Sequence, residues 1–143
     1  MRTLAIGFAA ILFAMGSAEA ASPMIGQWRG VGLQAGPDGV QSTWTVVLTI
    51  EPEKSRIQYP SLGCTGVLRE TDHSAGEMTF SEEILSGPCI SNGHIVVKLR
   101  EGRLFWFWYK PLTGADASAV LYRADQMTDL RTPPAMRLRH PMS

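Results

Sequence analysis

Residues 26–123 divide into short segments that alternate in polarity or are rich in β-branched and aromatic residues, and glycine, proline, aspartate or asparagine separates them. These segments recur roughly every 10 to 15 residues, a spacing typical of antiparallel strands joined by short turns. We predict eight strands, at Gly26 to Gln34, Ser42 to Glu51, Ser55 to Tyr59, Cys64 to Glu70, Glu77 to Ile84, His94 to Arg100, Arg103 to Lys110 and Ser118 to Arg123.

The short connections favour a meander in which each strand pairs with the next one along the chain. An eight-stranded sheet of this kind would leave two unpaired edges, and closure into a barrel removes both. We therefore predict an all-β fold: a single antiparallel up-and-down eight-stranded β-barrel, filled by side chains or holding one small ligand. The inward face is clearest in the second strand, where alternate positions are apolar: Trp44, Val46, Leu48 and Ile50.

Residues 1–20 have the order of a cleavable secretory signal, with Arg2, an apolar run over residues 4–15, and small residues ending at Ala20. As a helix the apolar run would rise only about 18 Å, well short of the ~30 Å core of a bilayer. The alternative is a buried N-terminal helix of the mature fold. We expect a periplasmic or secreted protein with a barrel domain over residues 21–124 and no membrane span.

The chain after the last strand differs in character. Residues 125–143 are predicted to be a C-terminal tail, with a short helical turn over Gln126 to Leu130 followed by a mobile basic stretch that contains no acid.

The mature domain is predicted to be close to neutral. The signal segment contains one base and one acid, and the whole chain has 13 of each, so removal of the signal leaves the balance unchanged. Nucleic acid and anionic membranes need a basic face, so we expect neither as a partner.

Cys64 and Cys89 are the only cysteines of the chain. An even number in an exported protein favours a disulfide, which would close a loop of about 25 residues and stabilise the fold by roughly 3 kcal/mol. A metal pair and two free thiols are the alternatives, and no histidine lies at a zinc-ligand spacing from either cysteine. We expect the disulfide, with no metal and no cofactor.

Gly26-Gln27-Trp28 resembles the Gly-x-Trp start of lipocalin-like (calycin) barrels, although the Thr-Asp-Tyr-like turn of lipocalins is absent. In that family an arginine near the last strand packs over the tryptophan and closes the barrel bottom. The resemblance implies this structural role for Trp28 and Arg123.

A second resemblance covers most of the mature chain, and it implies an extracytoplasmic location and a sensing or binding role. The similar proteins are small bacterial domains of unsettled function, found alone behind signal peptides or fused to the outer side of Ser/Thr kinases. The segments that carry it are Gly26-Gln27-Trp28-Arg29-Gly30, Tyr59 to Leu68, Phe80 to Ile84 with Gly87 and Cys89, and Leu121-Tyr122-Arg123.

Glu82 is predicted to point inward, because it lies on the apolar face of its strand. A carboxylate in such a place must be paired or protonated. We interpret it either as a structural ion pair with Arg29 or Arg123, or as a ligand anchor or an acid with a raised pKa. Glu83 faces the opposite side, which excludes a glycosidase-like carboxylate pair.

The segment Phe105 to Tyr109 is aromatic on both faces, with Trp106 and Trp108 sharing one of them. One face must look outward. If uncovered, it would mark an interaction surface. The alternative is that the segment after the barrel, with Met127 and Leu130, lies across it.

Three functions are compatible with these features. The first is a binding domain for a small apolar or sugar-like ligand at the barrel mouth, beside the loop over residues 85–93. Its predicted ligand-binding residues are Trp44, Tyr59, Glu82, Trp106 and Trp108. The second is an interaction or inhibitor module that contacts an envelope protein through the aromatic face or the disulfide loop. In both cases we expect a monomer.

The third function, a hydrolase or isomerase using Glu82, has the least support, and we expect no enzyme. Asp72-His73-Ser74 has the letters of a catalytic triad but lies in a predicted turn, where the three side chains diverge. We expect His94 to be a solvated residue at a sheet edge. The sequence shows no phosphate loop, metal-ligand cluster or nucleophile elbow.

Overall fold

The computed structural model describes residues 22–126 and confirms a closed, antiparallel, up-and-down barrel of eight strands. The strands are β1 Gly26–Ala35, β2 Gln41–Ile50, β3 Ser55–Tyr59, β4 Cys64–Ser74, β5 Glu77–Ser86, β6 His94–Arg100, β7 Arg103–Lys110 and β8 Ala115–Arg123. Each strand pairs with its neighbour in the sequence, and β1 pairs with β8 to close the ring. The predicted signal segment and most of the predicted tail lie outside the described residues.

Four strands are longer than predicted, β1 by one residue, β5 by two, β8 by three and β4 by four, because their ends remain in the hydrogen-bonded ladder. The turn predicted over Asp72 to Gly76 is limited to residues 75–76: β4 runs to Ser74, which pairs with Glu77, and a register shift between Glu70 and Asp72 accommodates the polar stretch. At the other end of the barrel, β8 already begins at Ala115, which pairs with the last residue of β7.

Helical structure in the described chain comprises a 3₁₀ turn at Pro60–Leu62 and one turn over residues 124–126. The rest of the helical turn predicted for Gln126 to Leu130 lies outside this range. From residue 22 to residue 126, no helix has the length and apolar character needed to cross a bilayer.

One end of the barrel, called the closed end here, is sealed by the chain that precedes β1. Met24 is buried there, and its carbonyl oxygen accepts a hydrogen bond of 2.8 Å from Trp28 Nε1. The Arg123 guanidinium lies 4.5 Å from the centre of the Trp28 ring and donates to the carbonyl oxygens of Pro23 and Ile25. Trp28 and Arg123 thus make the packing contact that the lipocalin resemblance implied.

The opposite end, called the open end, carries the connections over residues 36–40, 60–63, 87–93 and 111–114. The predicted disulfide is present there and joins Cys64, the first residue of β4, to Cys89. Residues 87–93, called the rim loop below, are thereby fastened to the barrel wall. Val46, Leu48 and Ile50 of the predicted inward face are buried, whereas Trp44, nearest the open end, is half-buried.

Candidate functional site

The open end contains a pocket of about 230 Å³. Strands β1, β2, β3, β5 and β7, the 3₁₀ turn and the rim loop supply its lining residues: Gln34, Ser42, Trp44, Tyr59, Leu62, Glu82, Cys89, Ile90, Trp106 and Trp108. The five residues predicted to bind a ligand all belong to this lining. They meet because alternate side chains of each strand turn into the same barrel interior.

Small residues make room for the large aromatic side chains at the wall of the pocket. Gly32 pairs with Trp44 across β1 and β2, and a methyl group added to Gly32 would lie 2.8 Å from the indole ring. On the other side of the barrel, Trp106 pairs with Ala119 across β7 and β8. The indole rings can therefore lie against the strands.

Glu82 is the carboxylic acid of the pocket and is 2% exposed. Its Oε2 atom accepts a hydrogen bond of 2.6 Å from the Tyr59 hydroxyl, and its Oε1 atom accepts one of 2.9 Å from Trp108 Nε1. Both donors are uncharged groups. Since an ionised carboxylate has about four acceptor positions, both oxygens retain capacity for a further donor.

The predicted ion pair between Glu82 and Arg29 or Arg123 is wrong. Arg29 is exposed, because it alternates along β1 with the inward-facing Trp28. Arg123 lies at the closed end, where backbone carbonyl oxygens and the Trp28 ring occupy its guanidinium. None of the ion pairs formed within residues 22–126 includes Glu82.

Burial shifts the pKa values of this pair of side chains. It raises the pKa of Glu82, because removal from water disfavours the carboxylate, while the hydrogen bonds from Tyr59 and Trp108 act in the opposite direction. Burial, the nearby Glu82 charge and the hydrogen bond to Glu82 also raise the pKa of Tyr59. The Tyr59 phenol consequently keeps its proton and donates a hydrogen bond to Glu82 Oε2.

Two indole groups of the pocket carry unused hydrogen-bond donors. Trp44 Nε1 and Trp106 Nε1 are the buried side-chain polar atoms without a partner among the described residues. The ring of Tyr59 lies between these two indoles, with edge-to-face contacts at centroid distances of 6.5 Å to Trp44 and 6.3 Å to Trp106. A buried donor without an acceptor costs about 1–3 kcal/mol, so these two indoles are held in the barrel at a cost to its stability.

The rim loop is hydrogen-bonded to the backbone of Glu82. The Glu82 N–H donates to the Gly93 carbonyl at 2.9 Å, and the Asn92 N–H donates to the Glu82 carbonyl at 3.1 Å. Lys110 Nζ donates to the carbonyl oxygen of Ser91 at 2.8 Å, which ties the loop to the end of β7. Together with the disulfide, these bonds hold the loop in a defined position beside the pocket.

Gly93 and Lys110 are supporting residues that the sequence analysis missed. A methyl group added to Gly93 would overlap Trp108 Nε1, the atom that donates to Glu82. The sequence indicates a turn at Gly93, but the indole that lies against it comes from another strand. Lys110 has no sequence signal of its own, since its partner is a backbone carbonyl.

Two histidines considered in the sequence analysis lie outside the pocket. His73 is in β4, and its Nδ1 atom lies 3.1 Å from Glu70 Oε1 on the exposed surface. Asp72, His73 and Ser74 therefore diverge because they alternate along a strand, and no turn is involved. His94 was expected at a solvated sheet edge, but β6 is paired on both sides and its ring stacks on Tyr109 at 5.3 Å.

The outer surface of β7 is apolar, because Trp106 and Trp108 face inward and the other aromatic residues of this strand face outward. Phe107 and Tyr109 are 42% and 41% exposed. The strand registers place side chains of β8 and β1 beside them in one outer apolar face, which comprises Val31, Leu33, Phe105, Phe107 and Val120. The predicted cover by Met127 and Leu130 lies outside the described residues.

Within the described range, no three His, Cys, Asp or Glu side chains are grouped so that they would hold a metal ion.

Comparison of the chain with protein-family models, with curated proteins and with solved structures finds no match in any of the three. The two resemblances noted from the sequence therefore stay predictions, and the function must be inferred from the pocket itself.

Proposed function

We propose that this protein is an exported binding domain that takes one small molecule into the pocket at the open end of the barrel. The observation that carries the proposal is the convergence of four aromatic residues and one buried carboxylic acid on a single space of about 230 Å³. Ligand sites typically combine apolar and aromatic walls with a few polar groups that fix orientation. The volume lies below the roughly 300–1,000 Å³ of drug-sized sites, so the ligand is small.

The polar groups of the pocket support binding more than they support the stability of the fold. Glu82 lies inside the barrel without a cationic partner among the described residues, and Trp44 and Trp106 have unused N–H donors. Apolar side chains of similar size would avoid these costs. A ligand that contacts the carboxylate provides a physical reason for the presence of this group.

The disulfide and the N-terminal sequence support a location outside the cytoplasm. Disulfides persist in oxidising compartments such as the periplasm and the extracellular space. The bond between Cys64 and Cys89 is consistent with the export signal predicted for residues 1–20. A binding domain in that location would meet small molecules of the environment or of the cell envelope.

A pair of matched variants at the pocket rim tests the binding function. Ser42 lines the pocket, whereas Thr43 is the next residue of β2 and faces the outside. A panel of sugars, amines, alcohols and carboxylic acids would be screened for binding by tryptophan fluorescence and calorimetry. We expect this screen to identify a ligand of the unmodified protein. Ser42→Trp should weaken its binding at least tenfold, and Thr43→Trp should leave the binding unchanged.

Two results would contradict this proposal. If no compound of the panel bound the unmodified protein at millimolar concentration, the pocket would have no support as a binding site. If Ser42→Trp and Thr43→Trp bound a ligand equally well, the ligand would occupy another part of the molecule.

A second candidate function is an interaction or inhibitor module in the cell envelope, favoured by the exposed side chains of the outer apolar face. The variant that tests it is Phe107→Ser, because Trp108 faces the pocket and cannot contact a partner at this surface. Val40→Ser removes a similarly exposed apolar side chain elsewhere. An envelope protein captured by the unmodified domain and by Val40→Ser, but lost with Phe107→Ser, would support this function. Equal recovery by all three proteins would contradict it.

A further inference from the structure

The chemistry of the pocket allows its ligand class to be named, on the basis of the proposed binding function. We infer that the ligand is a small organic cation, an amine or a quaternary ammonium compound, whose positive charge lies against the Glu82 carboxylate and the surrounding aromatic rings. The inference rests on three features of the described lining: its charge balance, the arrangement of its rings, and its lack of basic side chains.

The charge balance of the pocket favours a cation. A buried carboxylate is strongly disfavoured without an opposite charge, and the described residues provide the Glu82 side chain with only the two neutral donors of Tyr59 and Trp108. Both carboxylate oxygens keep acceptor capacity beyond these bonds. A ligand cation would supply the positive charge that the described residues do not place beside Glu82. The raised pKa of Glu82 agrees with a carboxylate that lacks such a charge.

The aromatic rings are arranged as walls around one space. Trp44, Tyr59, Trp106 and Trp108 all line the same pocket as the carboxylate. The plane of Tyr59 makes an angle of 83° with that of Trp44 and 69° with that of Trp106, so these rings enclose a corner and do not stack. The face of an aromatic ring attracts a cation, and several rings around one site recognise alkylated ammonium groups.

The lining disfavours the other ligand classes. It contains no lysine, arginine or histidine, so an anionic ligand would meet the Glu82 carboxylate with no basic side chain of the lining to offset the repulsion. A neutral sugar would leave the carboxylate uncompensated.

The experiment compares cations with neutral molecules of the same shape. Calorimetry with the unmodified protein would measure choline against 3,3-dimethylbutan-1-ol, cyclohexylamine against cyclohexanol, and 3-methylbutan-1-amine against 3-methylbutan-1-ol. We expect the cation of at least one pair to bind ten times or more tightly than its neutral counterpart. Because this comparison uses one protein, it does not depend on the folding of any variant.

The variant Glu82→Gln provides a second arm, since glutamine keeps the shape of the site without the charge: its oxygen can accept from Trp108 Nε1, and its NH₂ can donate to the Tyr59 hydroxyl. We expect it to weaken binding of the preferred cation at least tenfold and to leave the neutral counterpart unchanged. Near-ultraviolet circular dichroism would check its fold, and Glu83→Gln, on the opposite face of β5, is the matched control.

A pH series gives an independent readout. A cation favours the ionised form of Glu82, so its affinity should fall as the pH drops through the pKa of this group, with proton release on binding. Tyr59 is the titratable group that faces Glu82 from β3 and remains neutral, whereas Leu68 of β4 and Trp108 of β7 cannot ionise. The affinity of a neutral counterpart should stay flat over the same range.

The outcomes separate this inference from the broader proposal. Equal or tighter binding of the neutral molecules would overturn the cationic ligand and leave the binding function intact. A cation whose affinity did not change in Glu82→Gln would also overturn it. If no member of the three pairs bound, the cation inference would fail, and the wider ligand panel with Ser42→Trp would decide whether the pocket binds anything.

Discussion

At the scale of single residues, Glu82 and its two donors dominate the open end. The carboxyl group is held from β3 and β7 by neutral hydrogen bonds, and its backbone is held by the rim loop. It therefore has a fixed position even without a ligand, a condition for an anchoring group. Burial of this carboxylate lowers the stability of the isolated protein, because the two hydrogen bonds do not fully replace the hydration that the charge loses.

The pKa of Glu82 predicts a pH-dependent stability. Burial raises this pKa in the folded protein above the ordinary value of 4.5, so the folded state binds the proton more tightly than the unfolded state does. The contribution of Glu82 to the free energy of unfolding should thus be most favourable at acidic pH and decrease as the pH rises from about 4.5 through the raised pKa. Glu82→Gln should remove this slope and be more stable than the unmodified protein above that window.

Urea unfolding of both proteins at a series of pH values measures this slope, with Glu83→Gln as the exposed control on the same strand. An undiminished slope in Glu82→Gln would show that another group is responsible.

The close approach of Gly93 to Trp108 predicts the effect of one methyl group. Gly93→Ala should push the indole away from Glu82 and destabilise the fold by about 1–3 kcal/mol, a cost typical of overpacking. Urea unfolding and the Trp108 fluorescence measure the effect. In a Trp108→Phe background, which lacks the overlapping indole nitrogen, the same substitution should cost clearly less. Equal costs in both backgrounds would contradict the overlap.

At the scale of structural elements, the two ends of the barrel have different roles. The closed end is sealed by Met24, whose carbonyl oxygen accepts from the Trp28 indole, and by Arg123, whose guanidinium packs over the ring; Met24 and Trp28 are both buried. At the open end, the wall contains Gly32 and Ala119 beside tryptophans, and the rim loop is held by the disulfide and Lys110. Rigid fastening of a loop beside a pocket reduces the conformational entropy lost on binding.

The disulfide predicts a measurable share of the stability. Replacement of Cys64 and Cys89 by serine should lower the free energy of unfolding by about 3 kcal/mol, because the unfolded chain regains the freedom of a loop of some 25 residues. Hydrogen exchange should accelerate most in the rim loop. The same decrease should appear when the unmodified protein is reduced, whereas reductant should not affect the serine variant. A loss below about 1 kcal/mol would contradict this account.

At the scale of the whole molecule, closure makes each strand depend on both neighbours. Detachment of any strand of the described barrel would expose the interior and two rows of backbone hydrogen-bonding groups. The pocket and the outer apolar face lie on opposite sides of β7, so a substitution on one surface need not disturb the other. The two candidate functions can thus be tested separately in one protein.

Closure also predicts that the barrel unfolds in one step. Trp28 reports on the closed end, and Trp44, Trp106 and Trp108 report on the open end. We expect tryptophan fluorescence and far-ultraviolet circular dichroism to give coincident urea transitions, as for other small single domains. A Trp28→Phe variant isolates the signal of the open end. Distinct midpoints for its fluorescence and circular dichroism would indicate that the two ends unfold independently.

The features that the sequence by itself determined are those with a local physical cause. Alternating polarity with turn residues at short intervals indicates strands, and their number indicates a closed ring. Two cysteines in a chain with a predicted export signal indicate a disulfide, and the position of Glu82 on an apolar strand face indicates that it points inward. These conclusions need only the two-residue period of a strand and the chemistry of each side chain.

Only the tertiary structure decided which residues meet. Both faces of β7 are aromatic, so the sequence pattern did not select the inward one; Ala117 and Ala119 of the neighbouring β8 leave room inside for Trp106 and Trp108. The partners of Glu82 likewise depend on the strand registers and on barrel closure, which join residues far apart in the sequence. Local patterns therefore predicted a buried acid, whereas its hydrogen bonds from Tyr59 and Trp108 required the complete ring of strands.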